Sequence, residues 1–253
     1  MLRTVFALVV IMVCGLLRLI LPFRWIEQAG WAMVLAAFRI RVEVHGRPVQ
    51  GGAMLLANHV SWIDIVALGR TVKASFIAKA EVARWPVIGA GARRIGCIFV
   101  DRSARIGALA IRGQIAARLA QGRRVVLFPE GTTGPGDRVL RFQSSLMGAQ
   151  ADGEAAPSIG RIAQKAAPFV VQPVGLVYRT ARDRRLAAWL GDALLLPHAV
   201  RLAREGGVRL EIWFEEPFSA TDRKAAARRA EAVIAARLAE RIADQDATLK
   251  RAA

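Results

Sequence analysis

Hydrophobic positions along the chain fall into three patterns, and each predicts a different element. The first is an unbroken run. Positions 5–23 are apolar or small apart from Arg18, and a helix of that length reaches about 28 Å, close to the hydrocarbon thickness of a bilayer. The second has a period of two: Ile40, Val42 and Val44 alternate with Arg41, Glu43 and His45, and Val208, Leu210, Ile212 and Phe214 alternate with Arg209, Glu211 and Trp213. That is the signature of half-buried strands. The third is a series of short apolar runs at 53–57, 75–78, 97–100, 125–128, 169–171 and 174–177, separated by helical stretches such as 103–121. Strands alternating with helices predict an α/β fold with a mostly parallel sheet flanked by helices. A final helix is expected over 221–243, where Ile234, Leu238 and Ile242 recur every fourth position on an otherwise charged surface. Positions 152–157 read as a surface insertion.

The N-terminal run admits a spanning helix, a membrane-embedded hairpin with 25–40 as its return leg, or a cleaved signal peptide. No small-x-small cleavage site follows the apolar stretch, which argues against the signal peptide. Trp25 and Trp31 suit interfacial anchors, Arg18 can snorkel, and Arg24, Arg39 and Arg41 follow closely. The expected organisation is an N-terminal membrane-embedded helical hairpin, with 1–39 as the anchoring segment and 40–253 as one catalytic domain. The expected location is the cell membrane, with the site facing the cytoplasm.

Composition sharpens this. The 253 residues carry 37 Lys and Arg against 20 Asp and Glu, a formal charge of +17, which calls for an acidic partner. A mean hydropathy of +0.32 favours a lipid surface over nucleic acid, and no aromatic-interleaved basic stripe, zinc spacing or helix-turn-helix signature is present. Cys14 and Cys97 form no disulfide framework. Cys97, between Ile95 and Ile98, reads as core filler rather than as a thiol nucleophile.

Four clusters carry candidate chemistry. Asn58-His59-Val60-Ser61-Trp62-Ile63-Asp64 follows the run at 53–57, and strand ends are where open α/β sheets build their sites. The same letters spell the capping box Ser61-x-x-Asp64, so Asp64 can satisfy a helix N-terminus, orient an imidazole that abstracts a hydroxyl proton, or do both. Gly96-Cys97-Ile98-Phe99-Val100-Asp101-Arg102 ends in a residue able to bind phosphate or simply to pair with Asp101. Phe128-Pro129-Glu130-Gly131-Thr132-Thr133-Gly134 is a turn after another apolar strand. Val171-Gln172-Pro173-Val174-Gly175-Leu176 is a strand that its proline places near an edge or a site mouth. Neither glycine-rich stretch matches a nucleotide fingerprint, and no Gly-x-Ser-x-Gly elbow is present.

In combination and order, these clusters resemble the glycerolipid acyltransferases whose best-known members are the 1-acylglycerol-3-phosphate (lysophosphatidate) acyltransferases. The resemblance runs closely over 53–177 and includes Lys79 and Trp85-Pro86-Val87-Ile88-Gly89. It implies His59 as base and Asp64 as its orienter. It further implies Lys79 and Arg102 as phosphate binders, Glu130, Gly131 and Thr132 as part of the acceptor site, and Pro173 as shaping the acyl-donor region. Departures are the variations at Cys97 and Val100 and the pair Gly134-Pro135. Trp189-Leu190-Gly191-Asp192 with Leu196-Pro197-His198 resembles a stretch of bacterial members acting on lysophosphatidate or lyso-ornithine lipids.

The expected reaction is transfer of a fatty acyl group from acyl-CoA or acyl carrier protein to the hydroxyl of a lysophospholipid, giving phosphatidate from lysophosphatidate. The alternative acceptor is lyso-ornithine lipid. No cofactor or metal is expected, and the expected partners are membrane lipids, the lysophospholipid and the acyl donor, with no nucleic acid. A lipid hydrolase would need a nucleophile that the motifs lack. A non-catalytic membrane-binding protein would have no use for His59, Asp64, Arg102 and Glu130 together.

Overall fold

The computed structural model describes residues 24–85, 88–100, 105–145, 147 and 168–252, together with positions 5, 6, 9, 10, 12, 13 and 16, which are helical. In chain order the elements are α1 (Arg24–Ala37), β1 (Arg41–His45), β2 (Met54–Ala57), α2 (Trp62–Thr71), β3 (Ala74–Lys79), a 3₁₀ turn (Ala80–Arg84), α3 (Ile88–Arg94), β4 (Ile98–Val100) and α4 (Arg105–Ala120). Then follow β5 (Arg124–Leu127), β6 (Phe169–Tyr178), α5 (Ala181–Ala187), α6 (Leu195–Glu205), β7 (Arg209–Phe214), β8 (Phe218–Ala220) and α7 (Arg223–Ala252).

The strands form one sheet in the order β1-β7-β6-β2-β5-β3-β4, with β8 also paired to β6. Strands β6, β2, β5, β3 and β4 run parallel, whereas β7 and β8 are antiparallel to β6. The apolar runs are apolar because both faces of the sheet are covered. Along β2, Met54 and Leu56 pack with Ile111 and Ile115 of α4 and Ala230 and Ile234 of α7. Leu55 and Ala57 face the other way, toward Ile63 and Leu68 of α2 and Leu202 of α6. The expected α/β architecture is therefore present as helix, sheet and helix layers.

Two expectations need correction. The membrane hairpin is unsupported. Its return leg contains α1, which packs on α2: Val34, Leu35 and Phe38 are buried in the domain core, and Gln28 Nε2 donates to the Gly69 carbonyl at 3.0 Å. No helix among the described residues is long and apolar enough to cross a membrane, and most of the first leg lies outside them. The second correction concerns Pro173, which neither interrupts β6 nor places it at an edge. Strand β6 continues through Pro173, which is paired with Leu56. Its other side faces the gap between β8, which ends its pairing at Val171, and β7, which begins at Val174. A residue without an N–H costs no ladder bond there, and the Pro173 carbonyl accepts from Glu215 N at 3.0 Å. The insertion expected at 152–157 lies outside the described residues.

Candidate active site

Because β2, β5, β3 and β4 are parallel neighbours, their C-terminal ends share one edge of the sheet. His59 follows β2, Glu130 follows β5 and Lys79 closes β3. The position of Arg102, just past β4, lies outside the described residues. Neighbouring strands stand about 4.8 Å apart, so Lys79 begins roughly 10 Å from the strand that delivers His59.

Strand β2 gives way to a tight crossing held by Asn58. Its side chain, nearly inaccessible to solvent, donates to the Leu176 carbonyl at 2.9 Å and accepts from Leu176 N at 2.7 Å, tying the end of β2 to β6. The chain then turns into α2 with Asp64 in its first turn. The Asp64 carboxylate is fully buried, and four donors converge on it. Oδ2 accepts from Val60 N at 2.7 Å and Ser61 N at 2.8 Å and lies 2.8 Å from Nδ1 of His59. Oδ1 accepts from the Tyr178 hydroxyl at 2.6 Å. Asp64 thus caps the helix and orients the imidazole at once.

A carboxylate on Nδ1 selects the tautomer with its proton on Nδ1 and leaves Nε2 free to accept one. The ring stacks on Phe128, with centroids 4.0 Å apart and planes inclined by 17°, and its side chain keeps 16% of its surface exposed. The result is an imidazole fixed on one side and open on the other.

Glu130 joins the group through the backbone: His59 N donates to its Oε1 at 3.3 Å, and Gly134 N donates to the His59 carbonyl at 2.7 Å. Its Oε2 is buried without a hydrogen-bond partner. Burial, opposed in part by backbone hydrogen bonds, pushes the Glu130 carboxyl up to about 8, so it is largely protonated at neutral pH. Gly131, at a φ of +74°, supplies the left-handed turn that brings the loop back toward His59. Thr132 is exposed. The neighbouring Thr133 Oγ1 donates to the Trp189 carbonyl.

The structure therefore gathers His59, Asp64 and Glu130. Lys79 is exposed farther along the same edge. Pro173 sits inside the sheet opposite Leu56 and is not on the edge that carries His59. Burial pushes the Cys97 thiol up to about 12, which disfavours the thiolate that a nucleophile needs.

Sequence reasoning missed Tyr178, whose hydroxyl is pushed well above the usual phenol range by complete burial and by the adjacent Asp64 charge, so it stays protonated. It is the only tyrosine in the chain, placed where an apolar strand ends, and that singularity was the available signal. His198 accepts from Trp62 Nε1 at 3.1 Å through Nδ1, bracing α6 against the start of α2. Away from the site, Glu43, His45 and Glu211 bring potential ligand atoms within 4.8 Å. Glu211 is held there by Arg241 at 3.0 and 3.2 Å, which makes the cluster an ion-pair network.

A protein-family model described as Acyltransferase matches residues 41–177. The lyso-ornithine lipid O-acyltransferase of Brucella abortus is 38% identical, over 88% of this chain and 90% of that protein. The 1-acyl-sn-glycerol-3-phosphate acyltransferase of Neisseria meningitidis is 40% identical over 45% of each chain. The crystal structure of PlsC from Thermotoga maritima, a 1-acyl-sn-glycerophosphate acyltransferase, superposes with a TM-score of 0.59 over 94% of both chains. At 20% identity it supports the fold alone.

Proposed function

The chain belongs to the acyltransferase family, and from that premise we propose that it transfers a fatty acyl group from a thioester donor to the hydroxyl of a lyso-ornithine lipid, with His59 as general base. One observation carries the choice of acceptor. The resemblance to the Brucella lyso-ornithine lipid enzyme extends along 88% of the chain, whereas the resemblance to the Neisseria lysophosphatidate enzyme covers less than half of it. Lysophosphatidate, the acceptor first expected, becomes the second reading, favoured by that shorter match.

The hydrogen bond between His59 and Asp64 supports the following steps. The acceptor hydroxyl gives its proton to Nε2 of His59 as its oxygen bonds to the thioester carbonyl carbon, and Asp64 stabilises the imidazolium through Nδ1–H. When the tetrahedral intermediate collapses, the carbon–sulfur bond breaks and the thiolate takes the proton back from Nε2. The products are an ester and a free thiol, and the base is regenerated. A protonated Glu130 beside His59 can donate a hydrogen bond to acceptor or substrate oxygens without adding charge. Lys79 and Arg102 meet the anionic part of the acceptor, a carboxylate in an ornithine head group or a phosphate in lysophosphatidate. The enzyme works at the cytoplasmic face of the cell membrane and takes acyl-CoA or acyl carrier protein as donor.

The test is the purified full-length protein assayed with both acceptors and both donors. Preferential formation of ornithine lipid is expected, and preferential formation of phosphatidate would reverse the assignment.

A further inference from the structure

Residues 189–197, Trp-Leu-Gly-Asp-Ala-Leu-Leu-Leu-Pro, take no part in the chemistry above, yet they sit beside it. They belong to the excursion between β6 and β7, which leaves and rejoins the sheet side by side because Tyr178 pairs with Leu210. That is the edge where β2 delivers His59. Two hydrogen bonds fasten the excursion to the site loops: Trp189 N donates to the Val60 carbonyl at 3.0 Å, and Thr133 Oγ1 donates to the Trp189 carbonyl. The Trp189 indole folds the loop by donating to the Ala193 carbonyl at 2.6 Å.

From this fixed base three leucines stand in solvent, Leu190 at 46%, Leu194 at 72% and Leu196 at 60% exposure. Single exposed leucines are ordinary, but three within seven positions concentrate exposed apolar surface in one short segment. Its setting is cationic. Positions 179–208 hold six arginines and three acidic residues, and Arg185, Arg201 and Arg204 are all exposed. An exposed apolar segment within an excursion of net positive charge is the chemistry that enters the headgroup layer of an anionic bilayer.

We propose that Leu190, Leu194 and Leu196 insert into the interface of an anionic membrane and hold the His59 edge against it. This rests on the site taking a membrane-lipid acceptor, though not on which head group. An acceptor hydroxyl near the headgroup layer then reaches Nε2 without its acyl chain leaving lipid.

The test uses the full-length protein carrying Cys14→Ala, Cys97→Ala and Leu194→Cys, labelled at 194 with an environment-sensitive fluorophore. On vesicles of mixed phosphatidylcholine and phosphatidylglycerol, a blue shift and quenching by a nitroxide on the lipid acyl chain are expected. An unshifted label on vesicle-bound, active protein would overturn the proposal. So would a blue shift without vesicles that grows with protein concentration, which would identify a second copy as the occupant. In parallel, the triple variant Leu190→Ser, Leu194→Ser, Leu196→Ser should lose about tenfold in rate at limiting vesicle concentration and recover in detergent micelles, with an unchanged thermal melt. Wild-type rates at limiting vesicle concentration would also overturn it. If the wild-type protein acylates neither acceptor, the proposed function fails, while the label at 194 still reports the membrane contact on its own.

Discussion

The Tyr178 hydroxyl donates a 2.6 Å hydrogen bond to Oδ1 of Asp64, the oxygen that His59 does not use. The carboxylate that holds the His59 imidazole is therefore itself held from the far side, by the last residue of β6. Replacing Tyr178 with Phe keeps the ring in the core and removes one donor. We expect kcat to fall about tenfold, equivalent to roughly 1.4 kcal/mol in the barrier, with little change in KM. Leaving a buried carboxylate oxygen without its donor should also cost about 1–3 kcal/mol of stability. Steady-state kinetics and denaturant melts check both, and a rise in KM at constant kcat would show that Tyr178 shapes substrate binding instead.

Asp64→Asn tests the same node more severely. An amide cannot accept on both sides, yet four donors point at this carboxylate. If its nitrogen faces His59, the ring is driven to the wrong tautomer. The loss in kcat should be on the order of 10³-fold or more, accompanied by a lower melting temperature, because the same substitution disturbs the cap of α2.

Glu130 makes stability depend on pH. Its carboxyl is pushed up from an ordinary value of 4.5 to about 8 by burial, so the folded state holds a proton that the unfolded chain releases across that window. Its contribution therefore worsens as pH rises from about 4.5 and levels off above about 8. In Glu130→Gln this term is absent. Relative to wild type, the variant should gain stability with rising pH, by up to a few kcal/mol as an order of magnitude. Melts of both proteins at pH 5 and about pH 9 check it, and parallel curves would contradict it.

Arg102→Ala and Lys79→Ala address the acceptor. Each should raise the acceptor KM roughly tenfold with kcat nearly unchanged, since the anionic group is bound in ground and transition states alike. Equal loss in kcat and kcat/KM would instead place these side chains on the reacting atoms.

Much of this was legible in the sequence where local chemistry decides the outcome. Doubly buried strands read as apolar runs, and the seven residues from Asn58 to Asp64 carry both the helix cap and a carboxylate beside an imidazole because both uses need the same spacing. What stayed hidden depends on partners distant in the chain. Tyr178 lies 114 positions from Asp64, and nothing local to it reveals a carboxylate above. Pro173 looked like an edge signal because its tolerance in a central strand comes from a change of partner between β8 and β7, which only the assembled sheet displays. The segment 25–40 reads as the return leg of a hairpin because Trp25, Trp31 and the nearby arginines suit an interface, and only the assembled fold shows Val34, Leu35 and Phe38 buried in the domain core.

The most direct measurement is acyl transfer to lyso-ornithine lipid by purified His59→Ala protein under the conditions that saturate the wild type. His59 is partly exposed and rests on Phe128, so its removal should leave the melt close to that of the wild type. Loss of the base should lower kcat by about 10³-fold or more. Turnover within a few-fold of wild type by the folded variant would contradict His59 as the base.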